Sequence, residues 1–139
     1  MGHLTWPAPY LEMPELWGKQ LRLVVLMIEV EQPEGLSTRK LVLETARHNV
    51  ITAYTAETGM ELLDRFPNVD VIIVHTEMEN FSFEKTVRKL KDIRDVPIIG
   101  ISPRGGREKD GADYMISSHD PQTLLHLLAE KFEAATSEE

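Results

Sequence analysis

The sequence predicts an α/β fold, a parallel sheet of five strands with helices on both faces. Two observations carry that expectation. From residue 21 onward, short β-branched apolar runs alternate with amphipathic stretches of helical period, which is the signature of repeated βα units. The runs also lack the polar alternation of a half-exposed strand, as strands buried on both faces do. Parallel neighbours joined through helices require right-handed crossovers, and these place helices on both sides of the sheet.

The elements follow in order. Leu21 to Val30 is β-branched and leucine-rich and reads as a central strand. After the breaker Pro33-Glu34-Gly35, Leu36 to Ala46 offers Leu36, Leu43 and Ala46 at helical spacing, with Arg39 and Lys40 read as outward. Val50 to Tyr54 is a second strand. Thr55 can cap a helix running through Phe66, with Ala56, Met60, Leu63 and Phe66 on one face. Val69 to Thr76 is the third strand. Phe83, Val87, Leu90 and Ile93 then line one face of a helix that also carries Lys85, Arg88, Lys89 and Lys91. Pro97 to Ile101 and Ala112 to Ile116 complete the strands. Asp120-Pro121 supplies an N-cap and an N1 proline for a last helix with Leu124, Leu125, Leu128 and Phe132 inward.

Residues 1–20 stand apart from this pattern. Trp6, Pro7, Pro9, Tyr10, Pro14 and Trp17 make an aromatic, proline-rich arm without a sustained period, apart from a helical turn at Pro14-Glu15-Leu16-Trp17. Residues 21–133 form the domain, and 134–139 a polar tail.

Composition excludes several classes of function. The 139 residues carry 15 Lys plus Arg against 23 Asp plus Glu, a formal charge of -8, and the basic residues are dispersed. Neither nucleic acid nor an anionic membrane is expected as a direct partner. With no cysteine there is no disulfide, no thiolate metal site and no thiol nucleophile. The longest apolar run, Leu23 to Ile28, is too short to cross a bilayer, and no basic stretch precedes a long apolar one at the N-terminus. A cytoplasmic location is the default.

In sheets of this kind chemistry sits at the carboxyl ends of the strands, which directs attention to Glu29, Glu31, His75, Glu77, Ser102 and Ser117. His75 with Glu29, Glu31 and Glu77 could form a His/carboxylate metal site, but a supporting spacing such as His-Glu-x-x-His is missing. Glu29 and Glu31 are two apart and point to the same face. As an acidic cluster they would draw a neighbouring His75 toward its charged form, in the place of a metal's charge. The simpler alternatives are a histidine that hydrogen-bonds locally and carboxylates solvated at a loop entry. Gly105-Gly106 lacks the helix that a phosphate cradle needs and reads as a turn. The basic residues of the Phe83–Ile93 helix suit an acidic partner, and they are equally what a solvated helix surface carries.

Four segments occur in order at these strand ends: Asp70-Val-Ile-Ile-Val-His-Thr-Glu-Met, Val96-Pro-Ile-Ile-Gly-Ile-Ser, Gly111-Ala-Asp-Tyr-Met and Asp120-Pro-Gln-Thr-Leu-Leu, with Val50-Ile-Thr-Ala at the second strand. Over residues 21–133 the chain thereby resembles the receiver domains of bacterial response regulators. The resemblance implies a flavodoxin-like three-layer fold with strand order 2-1-3-4-5. It also implies where a site would sit. Receivers place a phosphoacceptor aspartate at the end of the third strand, a magnesium-holding acidic pair after the first, a Thr or Ser after the fourth and a lysine after the fifth. Here those positions hold His75, Val30 with Glu31, Ser102, and Ser117, and Ser118 stands where a proline follows the lysine. Acyl phosphate formation needs a carboxylate nucleophile, a hard cation and a balancing lysine, and imidazole and serine supply none of these.

The expectation is therefore a non-phosphorylatable, non-catalytic module for protein–protein interaction in two-component signalling. It would carry no cofactor and no bound metal. Its partner would be a signalling protein, with a second copy of the chain as a further candidate. The competing reading is a small enzyme or a metal- or ligand-binding domain that uses a pocket around His75, Glu31 and Ser102. Only eight residues separate Ser102 from Gly111, too few for an average helix of about 11 residues, so the fourth helix of the receiver pattern should be shortened or absent. The arm would then pack near the fourth and fifth strands to cover their apolar face.

Overall fold

The structure, a computed structural model, describes residues 22–30, 38–78, 82–102, 109–117 and 121–133. The arm, the polar tail, Glu31, the turn at Gly105-Gly106 and Ser118 lie outside the described residues. So does the arm-mediated contact expected with a second copy.

Five strands form one parallel sheet: β1 (Val24–Ile28), β2 (Asn49–Ala53), β3 (Val71–His75), β4 (Ile98–Ile101) and β5 (Tyr114–Ile116), in the order β2-β1-β3-β4-β5. The expected order is observed. Helices α1 (Thr38–Thr45), α2 (Ala56–Arg65), α3 (Phe83–Ile93) and α4 (Pro121–Leu128) accompany the sheet, and α4 widens into a π-helical stretch, Ala129–Glu133. Among the described residues no helix falls between β4 and β5. β1 is shorter than its apolar run because Glu29 has already left the strand, although its N–H still donates to Ala53 O at 3.0 Å.

Side-chain alternation along each strand divides the core in two. On one face Leu26, Ile28, Ile72, Val74 and Ile98 pack with Leu63 of α2 and with Phe83, Val87 and Leu90 of α3. On the other, Val25, Met27, Val71, Ile73, Ile99 and Ile101 pack with Leu43 of α1 and with Leu124 and Leu128 of α4. Thus residues of α3 pack on one face of β4 and residues of α4 on the other, while the arm expected near the fourth and fifth strands lies outside the described residues. At Gly100 the absence of a side chain makes room for α3 and β5: a Cβ would lie 2.7 Å from Phe83 Cζ and 2.8 Å from Met115 Cε.

The helix ends are set locally. The Thr55 hydroxyl accepts from Thr58 N at 3.0 Å and the Ser82 hydroxyl from Lys85 N at 3.4 Å, capping α2 and α3. After α1, Arg47 takes a left-handed φ of 74°, which lets His48 N–H close on Leu43 O at 3.0 Å. His48 is buried at the amino-terminal edge of the sheet, where its Nδ1 accepts from Leu23 N at 3.0 Å. Burial pushes its imidazole below the ordinary value of 6.5. At the same edge Asp113 accepts from Lys91 Nζ at 2.7 Å and from Ile98 N at 2.8 Å. Burial raises the Asp113 carboxyl, but these two bonds and the lysine charge outweigh it and hold the group below its ordinary range.

Candidate functional site

The parallel register brings the carboxyl ends of four strands to one edge. Ile28 pairs with Val74, His75 with Ile101, and Ile101 with Ile116. One residue further on, Thr76 N donates to Ile101 O at 3.0 Å and Ser102 N to Ile116 O at 2.8 Å. Val30, His75, Ser102 and Ser117 are therefore gathered along this edge by the backbone ladder. Their environments differ. Ser102 is buried, His75 half-buried, and Val30 and Ser117 exposed.

His75 ends β3, and its Nδ1 accepts from Glu77 N at 3.1 Å. A ring nitrogen that accepts carries no proton, so this contact selects the tautomer protonated at Nε2. The local hydrogen bond that the sequence allowed for this histidine is present. The contact expected between His75 and Glu31 lies outside the described residues.

Glu29 and Arg39 depart from the sequence reading. Glu29 is not solvated: it is 2% exposed, and its Oε1 accepts from Arg39 Nη2 at 3.2 Å. Arg39 is not outward either, since only 15% of its side chain is exposed. Both facts follow from periodicities present in the sequence. Glu29 continues the inward parity of Val25 and Met27, and Arg39 sits one helical turn before the buried Leu43, so the two meet on one face of the sheet. The pair is singly bonded. Glu29 Oε2 and Arg39 Nε are buried with no hydrogen-bond partner among the described residues. Thr76, adjoining His75, is a further buried residue of this edge, and its hydroxyl is likewise unpartnered.

Among the described residues no group of three or more His, Cys, Asp or Glu is placed to hold a metal ion. No described helix is long and apolar enough to cross a membrane.

No protein-family model matches the sequence, and no curated protein matches it. Solved structures do. A response-regulator receiver domain protein from Clostridium thermocellum superposes with a TM-score of 0.69 at 20% identity, covering 84% of this chain and 99% of that one. A CheY-like receiver domain protein from Methanospirillum hungatei gives 0.69 at 19% identity, with 85% and 98% covered. The receiver domain of a sensor histidine kinase from Pseudomonas aeruginosa, solved with magnesium in its active-site cleft, gives 0.68 at 14% identity, with 79% and 97% covered. At such identities the likeness speaks for architecture, and with the observed strand order and register it shows that the chain has the receiver-domain fold.

Proposed function

We propose that the chain is a receiver-like signalling module that engages a protein partner in the cytoplasm without taking up a phosphoryl group. The observation that carries this reading is the chemistry at the end of β3. The residue there is His75, whose Nδ1 is occupied by the N–H of Glu77, where the receiver reaction needs a carboxylate nucleophile. The neighbouring groups support the same reading. Magnesium requires oxygen ligands in octahedral array, and the described residues of this edge fit it poorly: the Val30 side chain offers no oxygen, and Glu29 Oε1 is held by Arg39, while Glu31 lies outside the described residues. Exposed Ser117 cannot supply the charge of a lysine. The half-buried guanidinium beside Glu29 gives that carboxylate the positive charge it would otherwise draw from a cation. The module is accordingly non-catalytic.

The test is incubation with acetyl phosphate and Mg²⁺, followed by intact mass measurement, with beryllofluoride plus Mg²⁺ followed by amide NMR in parallel. No added phosphoryl mass and no shifts at the ends of β1, β3 and β4 are expected. Stoichiometric incorporation would overturn the proposal. The unpartnered Glu29 Oε2 and Thr76 Oγ1 favour a second reading, a small ligand held at this edge together with His75, Glu31 and Ser102. A thermal-shift screen with divalent metals and nucleotides separates the two, because only a true ligand stabilises the native state by mass action.

A further inference from the structure

On α3 the cations are not equivalent. Arg88 pairs with Glu84 at 3.6 Å, and Lys91 reaches Asp113 at 2.7 Å and Asp95 at 3.7 Å. Lys85 and Lys89 have no ion-pair partner among the described residues. They are one turn apart, and a like-charge pair at that spacing disfavours the helix unless something anionic lies across it. In a chain of net charge -8 these are two exposed ammonium groups held side by side without an ion pair among the described residues.

These lysines border a groove. Ala56, Glu57 and Met60 of α2 form one wall, and Ser82, Lys85, Thr86 and Lys89 form the other, around a cavity of about 190 Å³. Glu57 is the one carboxylate of this lining, and it pairs with neither lysine. Beyond this lining, exposed apolar side chains stand at the carboxyl ends of the two helices. Arg94 Nη1 bonds Phe66 O at 3.2 Å and ties the carboxyl end of α3 to that of α2. There Ile93, one turn past Lys89 on the same stripe, and Phe66 are 36% and 37% exposed. At 1.5 Å rise per residue, Lys85 and Lys89 are about 6 Å apart along the axis, and Ile93 lies about 6 Å beyond.

We propose that the α2/α3 face is a docking surface for an acidic amphipathic helix of a protein partner. Two carboxylates one turn apart would lie over Lys85 and Lys89, and an apolar side chain a turn further on would cover Ile93 and Phe66. Charge complementarity argues for this occupant, and the apolar end supplies buried area that an ion pair at a wet rim does not. The inference rests on the interaction-module reading and names the chemistry of the partner.

The experiment uses the full chain and a synthetic helical peptide with Glu at positions i and i+4 and Leu at i+8, against a counterpart in which Lys replaces both Glu. Amide shifts confined to α2 and α3 are expected with the acidic peptide only. Binding should weaken several-fold as salt rises and at least tenfold in the double variant K85E/K89E, whose exposed substitutions leave the core intact. Equal binding of the two peptides, shifts on another face, or undiminished binding by the double variant would overturn the proposal. So would self-association through this face in light scattering without peptide binding, which would make a second copy the occupant. Phosphoryl uptake by a chain that still binds the peptide would refute the non-phosphorylatable reading and leave the docking surface standing.

Discussion

Replacing Arg39 by Met removes a charge and keeps the length of the aliphatic stem. In the parent, Glu29 is 2% exposed and has one 3.2 Å bond to the guanidinium, while its second oxygen is buried without a partner. R39M leaves that carboxylate buried with no cation, and breaking a buried pair in this way costs about 3–5 kcal/mol. With a urea m-value of about 2 kcal/mol/M, the unfolding midpoint should fall by about 1.5–2.5 M. The double variant E29L/R39M replaces both ions by apolar groups of similar volume, and it should recover to within about 1 kcal/mol of the parent or exceed it. The recovery follows from the single bond: an incompletely satisfied pair offsets little more than its own desolvation. Urea titrations of the parent, both single variants and the double variant close the cycle. An R39M cost under about 1 kcal/mol, the range of exposed pairs, would mean that Glu29 reaches water and needs no guanidinium.

Two further predictions concern the core and its edge. His48 titrates below its ordinary value, so the unfolded chain binds its proton first: the stability linked to it is full above about pH 6.5 and is lost as pH falls toward the folded-state value. H48N keeps an acceptor for Leu23 N and cannot titrate, so urea midpoints across this range should slope less with pH than the parent's; equal slopes would dismiss the role. Gly100→Ala forces a methyl against Phe83 and Met115 inside a buried strand and should cost about 1–3 kcal/mol by overpacking, read as a lowered melting temperature, whereas an unchanged value would mean that α3 can move away from β4.

Much of the architecture was legible in the residues, for identifiable reasons. α3 runs from Phe83 to Ile93 as its period indicates, because a strongly amphipathic stretch opened by a Ser82 cap has one face it can bury. The β-branched runs became the strands, since a strand buried on both faces needs no polar alternation and a helix of that length would be too short to compete. The shared edge was equally legible: a parallel sheet has one carboxyl edge, where His75 ends β3 and Ser102 and Ser117 directly follow β4 and β5. The partnership of Glu29 with Arg39 was not. Arg39 reads as outward and Glu29 as a carboxylate at a loop entry, whereas the fold turns both to an inner face, and periodicity is local. Which buried charge meets which depends on how a helix is laid across a sheet. Tertiary structure likewise decided that α3 and α4 pack on opposite faces of β4, that Lys91 answers Asp113 while Lys85 and Lys89 have no ion pair among the described residues, and that Glu77 N–H donates to His75 Nδ1. Sequence determined the elements and the edge where they end, because those follow from near-neighbour spacing. Only the fold could pair the charges, because pairing is settled by distances between residues that are remote along the chain.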